Sequence, residues 1–295
     1  MSGLQAALAL DRLVQDAALM LAFGASAFTA LLAPAGLRAG LRCRLRACLV
    51  AAAILACLGV LLWLPLQAGQ ILGGWDAALD PPMLGAVALR TATGRVWLLR
   101  AALALLLLAG LLLPARRRLQ AIALLSGLLL ASLACVGHAA MRDGTAGTLL
   151  RLNQGLHLLS GGAWLGALVP FILCLGALRD PDGARDAALA LRRFSTAGHG
   201  AVALVLVTGS TNAALILGRW PTDWTSPYQA LLSVKILVVA TMAGLALLNR
   251  YWLVPRIRRH GTIALDALRI GSILEVVLGA AALAAVAIFG ILEPV

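Results

Sequence analysis

The chain reads as an all-α, polytopic membrane helix bundle: eight transmembrane helices in a single membrane domain over residues 1–295, with both termini on the periplasmic side. Three observations lead there. Of 295 residues, 62% are hydrophobic and 12% charged, and the mean hydropathy is +0.96, well above the roughly 45–50% apolar content of soluble domains. Apolar runs recur at the length of about 20 residues that crosses hydrocarbon. The charges are mostly arginines, gathered at the ends of those runs.

The expected spans are 14–33, 46–66, 96–114, 119–140, 150–176, 196–217, 228–249 and 267–290. Uniformly apolar runs carry no helix or strand period, so length decides: a membrane strand needs only about 9–11 alternating residues. Span one follows Asp11 and Arg12 and precedes Arg38, Arg42, Arg44 and Arg46. That is the reverse of a cleaved signal, which carries its positive charge first, so it reads as a retained span. Span two leaves this basic connection and runs out to Trp63. The longest connection, 67–95, carries Trp75, Pro81, Pro82 and Met83. Spans three and four flank Arg116, Arg117 and Arg118. Spans five and six flank Arg179, Arg185, Arg192 and Arg193, and spans seven and eight flank Arg250, Arg256, Arg258, Arg259 and Arg269. Sixteen arginines thus fall on alternate connections and six (Arg12, Arg90, Arg95, Arg142, Arg151 and Arg219) on the others. In a bacterial inner membrane the positive-inside rule then places both termini in the periplasm. Trp63, Trp75, Trp97, Trp220, Trp224 and Tyr228 form an aromatic belt at the outer ends, and Tyr251 and Trp252 one at the inner ends. Trp164 alone lies deep within a span.

This pattern accounts for the net charge of +12 as topology, with membrane lipid and not nucleic acid as the surrounding partner. Cys43 and Cys48 lie on a basic connection, Cys57, Cys135 and Cys174 lie in apolar runs, and no CxxC pair occurs, so the five cysteines read as packing residues. A phosphate loop, HExxH and GxSxG are all absent. The expectation is a protein that is not an enzyme.

Candidate chemistry centres on HAAMRDGTAGTLLRLNQGLHLLSGGAW, residues 138–164. If span four continues past Ala140, His138 and Met141 share a helical face. On span five, Asn153, His157, Gly161 and Trp164 follow a single helical stripe. Imidazole and thioether suit Cu(I), while imidazole also serves Zn(II), Cu(II) and haem iron. Two histidines in a hairpin can equally be interhelical hydrogen-bonding partners. Gly162 and Gly166 form a small-xxx-small pattern that admits a close neighbouring helix. His199 lies near the inner end of span six. Lys235 and Glu275 lie within spans seven and eight, approached from opposite sides, so that pairing them requires tilt or snorkelling. Met20, Met242 and Asn212 are further polar or sulfur-bearing positions inside spans.

GHAAM (137–141), HLLSGGAWLGALVPF (157–171), RFSTAG (193–198), TGSTNA (208–213), SPYQALLSVKILVV (226–239) and NRYWLVPRI (249–257) together resemble the copper resistance protein D (CopD) family. The resemblance implies an eight-span inner-membrane protein of copper homeostasis that moves copper from periplasm to cytoplasm, associated with a periplasmic copper carrier of the CopC type. It carries over to His138, His157 and Trp164, and to Glu275 as an acidic position in the last span. The expected cargo is a copper ion, Cu(I) or Cu(II). It would be met by His138 and Met141, held at His157 and released near His199, with Asn153, Trp164, Asn212, Lys235 and Glu275 along the pathway. Two alternatives stand beside this reading: a redox protein binding haem b through histidines on neighbouring helices, and a non-transporting receptor for a copper chaperone.

Overall fold

A computed structural model describes residues 2–137 and 143–293 of the chain. Among these there is no strand, and eight helical segments are long and apolar enough to cross a membrane. They are Gly3–Leu32, Ala35–Leu72, Ala92–Gly110, Ala115–Cys135, Gly144–Ala177, Ala184–Leu217, Pro227–Ile257 and Gly261–Phe289.

The expected spans all exist, but several helices outrun them. Helix α1 (Gly3–Ala27) starts eleven residues before position 14. Ser2 and Gln5 close a capping box at its N-terminus, with bonds of 2.9 and 3.2 Å. Asp11 and Arg12, expected ahead of the span, are therefore inside it. A wide π-turn, Phe28–Leu32, continues α1. Helix α2 (Ala35–Leu72) carries the basic connection on its first turns and ends at Gly73, whose φ of +92° is the left-handed conformation that glycine adopts cheaply. The expected outer connection 67–95 is itself mostly helical: the end of α2, then α3 (Trp75–Ala78) and α4 (Pro81–Arg90). Both corrections have one cause, since a hydropathy window measures hydrocarbon thickness while a helix continues as long as its backbone bonds are satisfied.

Helix α5 (Ala92–Gly110) is capped by Thr91, whose hydroxyl accepts from Gly94 N at 2.9 Å. Helix α6 (Ala115–Ser132) tightens into a 3₁₀ turn, Leu133–Cys135. Val136 is then extended and Gly137 has φ +71°. The described helix of span four thus ends at Cys135, ahead of His138 and Met141, which were expected to share its face if it continued past Ala140. Both residues lie outside the described positions.

Span five is two helices, α7 (Gly144–Leu165) and α8 (Leu168–Ala177), broken just after Trp164. Pro170 has no N–H to give the Gly166 carbonyl, so the ladder lacks a rung at this point. Helix α9 (Ala184–Leu217) follows. Helix α10 (Pro227–Leu248) passes through a π-turn, Asn249–Leu253, into α11 (Val254–Phe289), which kinks at Gly261 with φ +38°.

Helix α1 is the hub of the bundle, packing against α2, α6, α7 and α11, whereas α9 and α10 are peripheral and barely touch each other. The small residues at 162 and 166 do admit a close neighbour, and it is α1. A Cβ on Gly166 would lie 1.9 Å from the Met20 carbonyl oxygen, and one on Gly24 would lie 2.3 Å from the Gly162 oxygen. Backbone cannot yield as a side chain can, so Gly166→Leu should force α1 and α7 apart. The expected cost exceeds the roughly 1–3 kcal/mol of ordinary overpacking, seen as loss of monodisperse protein in detergent, while Gly176→Ala, in open space, should be neutral.

Candidate functional site

Span five meets α9 through a polar ladder. Asn153 donates both amide hydrogens, one to the Thr208 carbonyl and one to Asn212 Oδ1, each at 2.9 Å. Asn212 in turn donates to Gln154 Oε1 at 2.7 Å. One turn deeper, His157 Nδ1 lies 2.9 Å from the Thr208 hydroxyl. That hydroxyl spends its own hydrogen on the Leu204 carbonyl, so its oxygen accepts from His157. This network favours the tautomer with the proton on Nδ1, which leaves the Nε2 lone pair open. A ligating histidine is commonly oriented in this way by a partner on its other nitrogen. Gly209 makes room, since a Cβ there would sit 3.1 Å from His157 Cε1.

His157 lines a partly open cavity of about 100 Å³ together with Met20, Met242, Asp16, Lys235 and Trp164. The Met20 methyl lies against Gly161, one turn along from His157. The cavity thus gathers one imidazole and two thioethers from α7, α1 and α10. Among the described residues no group of three His, Cys, Asp or Glu side chains forms a metal cluster. The donors present are few: the imidazole and two thioethers suit Cu(I), and the Asp16 carboxylate beside them adds a hard oxygen donor.

Trp164 lines both this cavity and a larger vestibule of about 1050 Å³. Its indole N–H donates to Glu275 Oε2 at 3.3 Å, and Asn249 Nδ2 donates to Glu275 Oε1 at 2.8 Å. Both carboxylate oxygens of a side chain only 3% exposed are therefore satisfied. The π-turn supplies Asn249: Val254 N–H reaches back five residues to the Asn249 carbonyl, and Pro255, lacking an N–H, weakens the ordinary helical alternative. Gly271 completes the fit, because a Cβ there would lie 2.5 Å from Asn249 Oδ1. Removing one donor from a buried acceptor costs about 1–3 kcal/mol. Asn249→Ala should accordingly lower the thermal midpoint, and Asn249→Asp should lower it further by facing one carboxylate with another.

Lys235 and Glu275 do not pair. Lys235 sits over the Phe289 ring at 5.8 Å in the His157 cavity, and Glu275 borders the vestibule, with Trp164 lining both. His199, at the vestibule mouth, bonds the Ser195 carbonyl through Nδ1 at 2.6 Å and meets the Tyr251 hydroxyl through Nε2 at 3.2 Å. His157 and His199 thus line separate cavities. Trp164 and Glu275 join directly, as do Asn153 and Asn212, and His157 shares Thr208 with them.

Sequence reasoning overlooked a buried charge cluster in the first half of the chain. Arg100 on α5 is fully buried and donates from Nη2 to Gln15 Oε1 at 2.6 Å, with its guanidinium 5.9 Å from the Trp63 ring. Asp11, Gln15 and Asp16 on α1 are also buried, and Asp16 Oδ2 lies 3.9 Å from Arg12 Nε. Arg12 donates to the Gly290 carbonyl at 3.2 Å. Gly59 lets α1 approach, its position lying 2.9 Å from Gln15 Cβ once a Cβ is added. Asp16 connects this cluster to the His157 cavity. A signal was present in the i, i+4, i+5 spacing of Asp11, Gln15 and Asp16, with Arg100 one turn past Trp97 inside an otherwise apolar run. Gln154, Thr208 and Asn249 were likewise not singled out, although Thr208 and Asn249 open two of the quoted motifs.

Comparison with known proteins bears on both halves. The family described as "Copper resistance protein D-like, N-terminal domain" matches residues 3–148, and "Copper resistance protein D" matches residues 188–289. A relative named "Inner membrane protein YebZ" from Escherichia coli (strain K12) is 34% identical over 96% of this chain and 97% of its own length. The chain belongs to the CopD family. "Copper resistance protein D" of Pseudomonas syringae pv. tomato is 33% identical, over 66% of each chain. "Copper transport protein CutJ" of Bacillus subtilis (strain 168) is also 33% identical, over 60% of this chain and 34% of that longer protein. No solved structure matches. CopD membership makes this a copper-related, multi-pass inner-membrane protein, and the matched N-terminal region contains the buried Asp11, Gln15, Asp16 and Arg100 cluster.

Proposed function

We propose that this protein moves copper ions across the bacterial inner membrane from periplasm to cytoplasm, with both termini periplasmic. The observation that carries the reading is the His157 cavity, where an imidazole with a free Nε2 lone pair shares about 100 Å³ with the Met20 and Met242 side chains. Such a site takes Cu(I) and releases it, because few soft ligands bind without trapping. His138 and Met141 act as the outer entrance and receive copper from a carrier of the CopC type. From His157 the ion passes Trp164 to Glu275 and leaves through the vestibule beside His199. The arginine asymmetry supports the orientation, and the two cavities that Trp164 lines support the order of stations. This is transport without chemical conversion, so no enzyme activity is assigned.

Haem b would need two axial ligands facing one site. Among the described histidine side chains, His157 and His199 line separate cavities, which supports copper transport over haem binding by that pair.

Proteoliposomes loaded with a Cu(I) indicator test the proposal. Purified protein should accelerate copper uptake over empty vesicles, and Met20→Leu with Met242→Leu should slow it about tenfold while the protein stays folded. Absence of uptake, with stoichiometric copper retained and chaperone bound, would favour the receptor reading. A Soret band in the purified protein would favour haem.

A further inference from the structure

The vestibule is larger than copper release requires. At about 1050 Å³ it exceeds the roughly 300–1,000 Å³ of small-molecule sites. Its walls are largely apolar, including Leu168, Phe171, Val202, Leu206, Ala246 and Leu247. It lies between α9 and α10, which barely touch along their length and are joined at the arginine-rich end by Arg250 bonding the Ser195 hydroxyl and Tyr251 meeting His199. Elsewhere on these two helices Leu204, Val207, Val234 and Leu237 are exposed as lipid-facing residues are.

The mouth is basic. Arg185, Arg192 and Arg250 all line the vestibule, and among the described residues none of the three pairs with a carboxylate. An apolar cleft beneath three such guanidinium groups at a span's end matches an anionic lipid in both polarity and depth.

We propose that the vestibule binds one anionic phospholipid from the leaflet at the arginine-rich end. The phosphate rests on Arg185, Arg192 and Arg250, and an acyl chain enters the gap between α9 and α10. The lipid closes the sideways opening, leaving the polar floor of Glu275 and Asn249 against the bundle. This assignment rests on the vestibule alone and is independent of what the protein transports.

The test uses the full chain, purified and stripped of lipid in detergent, then titrated with phosphatidylglycerol, phosphatidylcholine or inorganic phosphate. Native mass spectrometry counts retained lipid and the thermal midpoint reports stabilisation. Expected is one phosphatidylglycerol retained, with a raised midpoint, and neither effect from phosphatidylcholine or phosphate. Each surface arginine near a lipid headgroup accounts for roughly fivefold in affinity, so Arg185→Gln with Arg192→Gln should weaken binding about 25-fold. Both residues are exposed, so the double variant should fold. Leu206→Trp, which fills the cleft and keeps every arginine, should also reduce retention. Equal retention of phosphatidylcholine, unchanged phosphatidylglycerol binding in the double arginine variant, or stabilisation by phosphate equal to that by phosphatidylglycerol would each overturn the proposal.

Discussion

His157→Ala should reduce copper transport to the background of empty vesicles while leaving the protein folded. The imidazole is the one histidine among the described residues that line this cavity, and the bond from Nδ1 to Thr208 leaves its Nε2 lone pair open. Truncation leaves two thioethers and the Asp16 carboxylate, without the imidazole that suits the site to copper. The structural loss is small by comparison: one side-chain hydrogen bond, about 1 kcal/mol. Thr208→Val provides the graded control. It removes the hydroxyl that fixes the ring, so copper affinity should fall about 10–100-fold, as is usual when a ligand's orienting partner is lost. Wild-type uptake rates in His157→Ala, measured at equal protein density in proteoliposomes, would show that the cavity is not on the copper path.

Arg100→Leu should have the largest effect on stability. Arg100 is fully buried and sits among Asp11, Gln15 and Asp16, with a direct bond only to Gln15. Removing the cation leaves Asp11 without a balancing charge and Asp16 with Arg12 alone, and breaking such an arrangement costs about 3–5 kcal/mol. That is a large share of a typical stability of about 5–15 kcal/mol. The expected result is a steep fall in the thermal midpoint, or loss of the protein from the membrane. The second-site variant Arg100→Leu with Asp11→Asn and Asp16→Asn should recover part of the loss, because it removes the orphaned charges as well. A neutral Arg100→Leu would mean that the cluster balances its charge without Arg100. If the triple variant recovers stability but not transport, Asp16, which also lines the His157 cavity, has a part in attracting the cation.

Architecture was largely legible in the sequence because hydrophobic length is a local property. Eight runs of sufficient length imply eight spans in any arrangement, and the arginines at their ends order the connections. Helix ends were less legible. Asp11 and Arg12 looked like a boundary because a charge in hydrocarbon is costly, yet inside the bundle Asp11 and Asp16 face Arg100 and Arg12 from other turns and helices. The stripe of Asn153, His157 and Trp164 was visible from helical periodicity, but neither the break after Leu165 nor the bond from the Trp164 indole to Glu275 was. Asn249 was quoted within a motif without a role, since its reach to Glu275 depends on a π-turn that no spacing rule announces.

The sequence by itself determined that this is an eight-span, CopD-like membrane protein with histidine and methionine within or beside its spans, because span length, charge asymmetry and motif order need no knowledge of neighbours. Only the tertiary structure decided that Met20, His157 and Met242 share a cavity, that Glu275 bonds Trp164 and Asn249 and does not pair with Lys235, and that Arg100 stands buried among carboxylates. The physical reason is that such contacts join helices far apart in the chain. In a uniformly apolar bundle their rotation and depth are set by where small residues such as Gly24 and Gly166 allow backbones to meet.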